Sequence, residues 1–151
     1  MSIPWFIGQY LHSIDAKNRL FIPPSFRDKL ADEKAKGFIM STGLDGCLWL
    51  FLPSQWENLL SGKLASINLP DKELERAFKR KFFAEAVEAP VDPQGRLLVP
   101  QLLKSYAGLR KNVFVQGANT RIEIWDEAKW KQYSKTRIQP SLKKFGKVLE
   151  I

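Results

Sequence analysis

The chain has 151 residues, 44% of them hydrophobic, enough for one ordinary core or two small halves fused into one. Its formal net charge is +8, but residues 129–151 hold seven Lys or Arg and one acid, so the body needs a local patch, or several copies in an oligomer, to attract an anionic polymer strongly. The single cysteine, Cys47, excludes an intrachain disulfide and a cysteine-rich zinc site and reads as a small core residue, and no stretch approaches the length of a membrane span.

Ile3 to Leu11, with Trp5, Phe6, Ile7 and Tyr10, predicts a strand. Its apolar opening, Ile3 to Ile7, is brief, contains Pro4 and has no basic residue before it, so no secretory signal is expected. The strand runs into Asp15, whose carboxylate can accept a backbone N–H two or three residues on, and Asn18 supplies a residue that tolerates positive φ. Arg19 opens a second strand. Pro23 stops it, because proline cannot donate to a sheet ladder but suits the first turn of a helix. His12 has no second histidine, and no thiol or hydroxyl at a recognisable spacing, so it reads as a surface or turn residue.

Phe26 and Leu30 place one face of a short helix over Ser25 to Leu30, which frays into polar Asp32 to Lys36. Gly37 to Thr42 and Cys47 to Leu52 predict a hairpin joined by Gly43-Leu44-Asp45-Gly46, with Trp56 on the helix that follows. Pro70 to Phe83 predicts a connecting helix packed on the core through Leu74, Ala77, Phe78 and Phe82, its opposite face carrying mixed charges. A second hairpin is expected at Asn112 to Gln116 and Arg121 to Trp125, then a helix from about Asp126 to Tyr133 capped by Asp126. Gln139-Pro140 is expected to end regular structure. Ser141 to Ile151 is a docking helix or a disordered arm, with Gly146 against the helix.

An internal duplication organises these elements. Ile14-Asp15-Ala16-Lys17-Asn18-Arg19-Leu20-Phe21-Ile22-Pro23 returns as Val91-Asp92-Pro93-Gln94-Gly95-Arg96-Leu97-Leu98-Val99-Pro100, 77 residues on. Gly117 aligns with Gly43 and Trp130 with Trp56 at a shift of 74, which places a three-residue deletion between motif and hairpin, and Phe83 stands where Phe6 stood. The organisation is a first repeat over residues 1–65, a connecting helix over 66–82, a second repeat over 83–137 and a basic tail over 138–151, the repeats forming one compact unit.

The pattern Phe-x-Gly-x-Tyr-x-x-x-Ile-Asp-x-Lys-x-Arg-Leu-x-Ile-Pro over Phe6 to Pro23, with the second Asp-x-x-x-Arg at Asp92 to Arg96, resembles the MraZ family of bacterial transcriptional regulators, of the SpoVT/AbrB-type superfamily. Asn18 departs from the glycine usual there, a change that the left-handed tolerance of asparagine allows. The resemblance implies an α+β, mainly β fold: two tandem swapped-hairpin AbrB-like repeats interlocked into a small β-barrel, with flanking short helices. It also implies a ring-shaped homo-oligomer such as an octamer, bound to short G-rich direct repeats in double-stranded promoter DNA. Such a protein represses its own operon in the division and cell-wall gene cluster and is cytoplasmic and nucleoid-associated.

The residues agree with that class. No nucleophile beside a base, metal cluster or glycine-rich phosphate loop is recognisable, so no enzyme, cofactor, metal, membrane or small-molecule substrate is expected. Arg19 and Arg96 project from rigid turns and suit bidentate contact with guanine or phosphate. Lys17, Asn18 and Gln94 lie in the same turns and are weaker DNA-binding candidates. Asp15, Asp92 and Gly95 shape the turns. Lys17-Asn18 is basic and polar where Gln94-Gly95 is neutral, so the first repeat is expected to contribute more to DNA. The carboxylates lie on two repeats, and nothing in the sequence brings them to one site. Trp5, Phe6, Trp49, Phe51, Trp56, Trp125 and Trp130 are assigned to the core and subunit interfaces. The alternative is a ring-forming scaffold whose basic tail binds a protein or an acidic membrane, without sequence-specific DNA binding.

Overall fold

The computed structural model describes residues 3–151. In the first repeat, strand β1 (Gln9–Ser13) leads through the Asp15 turn to β2 (Arg19–Phe21) and helix α1 (Pro24–Asp32). The hairpin of β3 (Gly37–Thr42) and β4 (Leu48–Phe51) precedes α2 (Pro53–Ser61), and α3 (Lys72–Glu85) joins the repeats. The second repeat follows the same order: β5 (Val87–Pro90), β6 (Arg96–Leu98), α4 (Gln101–Tyr106), β7 (Asn112–Gly117), β8 (Ile122–Asp126) and α5 (Glu127–Tyr133).

The fold is α+β and mainly β, as expected, with the two repeats interlocked. β1 and β2 hardly pair across their own turn; a bridge from Ile14 to Leu20 is what remains of that hairpin. Instead β1 joins β7, β5 joins β3, and β2 joins β6, each pairing crossing from one repeat to the other. The large sheet has six strands in the order β1-β7-β8-β4-β3-β5 and is not a closed barrel. The β2–β6 ribbon touches both edge strands, β1 and β5, and so covers the opening. Leu20, Leu97, Ile22 and Val99 point inward from the ribbon into a core with Phe6, Phe26, Leu50 and Val115.

The registers reveal a pseudo-twofold axis. Leu20 pairs with Leu97, its own counterpart, and Trp49 of β4 pairs with its counterpart Glu123 of β8. The expected three-residue deletion resolves into two places. Ile39 pairs with Phe51 as Phe114 pairs with Trp125, so β3 maps onto β7 at a shift of 75 and β4 onto β8 at 74. The second hairpin loop is thus one residue shorter, and Gly117 corresponds to Thr42, not to Gly43. Gly117 is a glycine for a different reason: the Phe6–Ile7 backbone crosses it, and a Cβ there would lie 2.4 Å from the Ile7 nitrogen.

Four further expectations need correction. The Ile3–Leu11 strand is broken at Gly8, whose φ of +102° turns the chain between an isolated bridge at Phe6 and β1. Leu74 and Phe78 of α3 are exposed, because only the C-terminal end of that helix reaches the body, through Phe82 against Trp49 and Trp56. Phe83 is exposed on α3 and does not occupy the place of buried Phe6. Finally, Pro140 does not end the structure. A π-helical turn over Ser134–Ile138 carries α5 into α6 (Gln139–Leu149), and its wider hydrogen-bond spacing relieves the clash a proline makes with the preceding turn of an α-helix.

The aromatic set divides. Phe6, Phe51 and Trp125 are buried, Trp49, Trp56 and Trp130 are half-buried, and Trp5 is exposed. Cys47 is buried, which pushes its thiol pKa far up and keeps it protonated at neutral pH. Leu20→Ala and Leu97→Ala, at the centre of the ribbon, should each cost about 2–5 kcal/mol, read from urea unfolding. A loss below ~1 kcal/mol at either position would show that the ribbon does not hold the halves together.

Candidate nucleic-acid interface

The two turns share one hydrogen-bond scheme. Asp15 Oδ1 accepts from the backbone N–H of Lys17 and of Arg19, each at 2.9 Å, while its Oδ2 accepts from Arg19 Nε at 2.7 Å. Asp92 repeats this with Gln94 and Arg96 at 2.9 Å and with Arg96 Nε at 3.2 Å. The backbone closes each turn as well, with the Asn18 and Gly95 amides donating to the carbonyls of Asp15 and Asp92. Asn18 has φ +61° and Gly95 φ +83°, the left-handed region that these two residue types tolerate. The hydrogen bond from the arginine amide is the first cause holding each carboxyl below the usual range, with the guanidinium adding to it.

Nothing in the sequence itself brings the two turns to one site, and the fold does so through strand pairing. In the antiparallel ribbon Arg19 lies opposite Leu98, and Phe21 opposite Arg96. Side chains alternate along a strand, so with Leu20 and Leu97 buried, both arginines point outward from one face. They are two residues apart along the ribbon, about 7 Å. Each uses Nε for its aspartate, and among the described residues neither pair of Nη groups has a partner in the chain. Lys17 and Gln94 are exposed at the turn tips, and Leu98 and half-buried Phe21 complete the face.

Each turn is also held by the other repeat. Val99 N–H donates to the Asn18 carbonyl at 2.8 Å, and Ile22 N–H to the Gly95 carbonyl at 2.9 Å. Lys104 of α4 donates to Asn18 Oδ1 at 2.8 Å, and Gln101 meets the Asn18 amide at 3.5 Å. At the other turn, Arg27 of α1 donates to the Ile22 carbonyl and lies over the Phe21 ring, filling the space that a Cβ on Gly95 would need. Arg27 and Lys104 are counterparts at the 77-residue shift. The pairing is complementary: a compact ammonium reaches an asparagine, whereas a broad guanidinium lies against a glycine. Sequence reading missed both cations, although carrying the shift one helical turn past the prolines finds them.

The turns, the ribbon and these two helix residues carry five cations, Lys17, Arg19, Arg27, Arg96 and Lys104, against two carboxylates already engaged. This is the local patch that the nearly neutral body lacked. His12 belongs to β1 and sits edge-on to Phe21 beside the patch, where burial lowers its pKa and leaves it neutral near pH 7. Among the described residues there is no cluster of His, Cys, Asp or Glu that could hold a metal, and no helix is long and apolar enough to cross a membrane.

Because the folded state holds Asp15 and Asp92 ionised, their contribution to stability is complete above the ordinary carboxylate pKa, about 3.9, and is lost as pH falls through their depressed values. Asp15→Asn and Asp92→Asn should therefore lower the melting temperature at pH 7 and flatten its fall below pH 4, read from thermal melts across pH 2–7. A variant whose acid profile runs parallel to the parent would exclude that carboxylate as a source of acid lability.

Comparison with known proteins follows the same two halves. The profile of the family described as "MraZ protein, putative antitoxin-like" matches twice, over residues 5–81 and 82–146. A relative from Acetivibrio thermocellus named "Transcriptional regulator MraZ" is 49% identical over 129 residues, covering 85% of this chain and 86% of the relative. Relatives of the same name from Clostridium acetobutylicum and Caldicellulosiruptor bescii are 44% and 46% identical, covering 88% and 82% of this chain and 89% and 82% of their own lengths. With a twofold profile match across nearly the whole sequence and identity of this order, the chain belongs to the MraZ family.

Proposed function

We propose that this protein is a DNA-binding transcriptional regulator that meets duplex DNA with the outward face of the β2–β6 ribbon. The observation that carries the reading is the placement of Arg19 and Arg96 on one face, related by the pseudo-twofold axis, with their Nη groups unpartnered among the described residues. Arginine in that state suits a bidentate contact with guanine O6 and N7 or with phosphate. Lys17, Asn18 and Gln94 lie at the turns beside them, and the surrounding cations favour the phosphate backbone whatever the sequence. The names of the relatives support a regulator.

The finer picture rests on the family resemblance. In it the protein represses its own operon in the division and cell-wall cluster, binds short G-rich direct repeats as a closed homo-oligomeric ring, and works at the nucleoid. A ring would present many such ribbons, so that weak contacts from each chain sum over tandem sites. Within one ribbon the Lys17-Asn18 turn is more polar and basic than Gln94-Gly95, and the first repeat contributes more of the affinity.

Fluorescence anisotropy tests this with a duplex from upstream of the gene and a scrambled duplex of equal length, across a salt series. The specific duplex should bind about 10³-fold tighter, and the gap should persist as salt rises. Equal, salt-labile binding to both would leave a basic scaffold instead. Arg19→Ala should cost about 1–3 kcal/mol in specific binding, and Arg96→Ala less. The reverse order would overturn the asymmetry but not the ribbon.

A further inference from the structure

The pseudo-twofold axis that relates the turns also relates two clefts. Each forms where a repeat's second hairpin strand and the helix after it meet the hairpin tip of the other repeat. In the first repeat Trp49 and Phe51 of β4 make the floor, Asn58 and Leu59 of α2 the wall, and Lys63 and Arg121 the rim, Arg121 coming from the second repeat's tip. The second cleft is lined by Trp125, Gln132, Tyr133 and Arg137, with Asp45 from the first repeat's tip. At a shift of 74, Phe51 corresponds to Trp125, Asn58 to Gln132, Leu59 to Tyr133 and Lys63 to Arg137.

The two clefts have diverged in volume and in charge. The second is packed by its own aromatics: Trp125 stands 4.8 Å from Tyr133 and 5.1 Å from Trp130, centroid to centroid, and about 270 Å³ remains. In the first, Leu59 replaces the tyrosine. Trp56, the counterpart of Trp130, keeps its contact with Phe51 at 5.6 Å and also stacks on Phe82 of α3 at 5.3 Å. The first cleft therefore stays open at about 460 Å³, within the range of small-molecule sites.

Its rim is cationic. Lys63 is exposed and has no ion-pair partner among the described residues. Arg121 lies 4.5 Å from the Trp49 ring and meets Glu123 at 3.0 Å, which fixes the guanidinium over the cleft floor. Among the described residues no carboxylate lines the first cleft, where Glu123 lies behind Arg121 and leaves Lys63 as the unpaired charge, whereas Asp45 lines the second.

We infer that the first-repeat cleft binds a small amphipathic anion, an aryl or acyl carboxylate, with its apolar body on Trp49, Phe51 and Leu59 and its carboxylate between Lys63 and Arg121. The site is independent of the turns, and its test does not involve DNA. Calorimetric titration of the full chain with 2-naphthoate should give one saturable site per chain, and the neutral 2-naphthamide should bind at least tenfold more weakly. Leu59→Tyr installs the side chain that fills the second cleft, and exposed Lys63→Glu reverses the rim charge without touching the core. Each should weaken 2-naphthoate at least tenfold, with thermal melts confirming that both variants fold. In the parent, the indole N–H resonance of Trp49, assigned with Trp49→Phe, should move on titration. Absence of saturable binding, or binding unchanged by either substitution, would overturn the site; equal binding of the amide would overturn the class of ligand.

Discussion

The placement of the two turns on one face depends on the pairing of β2 with β6. Each is three residues long, too short to persist alone, and neither finds a full partner in its own repeat. The ribbon exists because Leu20 and Leu97 are buried against each other's repeat and because backbone hydrogen bonds from Val99 and Ile22 anchor Asn18 and Gly95 at its two ends. Each repeat adds a backbone hydrogen bond to the other's turn. The halves are thus interlocked by strand pairing despite their separate sequence patterns.

This dependence sets what the arginines can do. A guanidinium on a flexible loop loses much of its binding energy to ordering, whereas here Nε is tied to an aspartate that is itself held by two backbone amides. The outward nitrogens are presented at a fixed spacing and direction. The aspartates neutralise part of the charge but supply that rigidity, and Arg27 and Lys104 restore the positive balance from the flanking helices. Geometry and electrostatics are divided between different residues of the same small surface.

Duplication also explains where the halves differ. Equivalent positions began with equal surroundings, so a difference between them reports a difference in use or in packing. Asn18 with Lys104 and Gly95 with Arg27 are two solutions to one packing problem. The clefts are a divergence with no such compensation, one filled by aromatics and one left open and cationic. Beyond the repeats, α3 exposes Leu74 and Phe78 while its Phe82 is packed on the body, and α6 exposes Leu142, Phe145, Val148 and Leu149.

The repeat, the aspartate turns, the proline-started helices and both hairpins were legible in the sequence because each depends on neighbours within a few residues: a carboxylate and the amides after it, a residue that accepts positive φ, a proline that cannot donate. The interlocked form was expected through the family resemblance alone. Arg-Leu-Phe and Arg-Leu-Leu say which face of a strand is buried, but three residues cannot say which distant strand will pair with them. The alignment of Gly117 with Gly43 failed for the same reason, since one glycine makes room for Cys47 and Trp49 of its own hairpin and the other for a backbone crossing from Phe6. Local chemistry in the chain determined the two turns and their arginines. Only the tertiary structure decided that they share one face, because that follows from long-range strand pairing and the burial of Leu20 against Leu97.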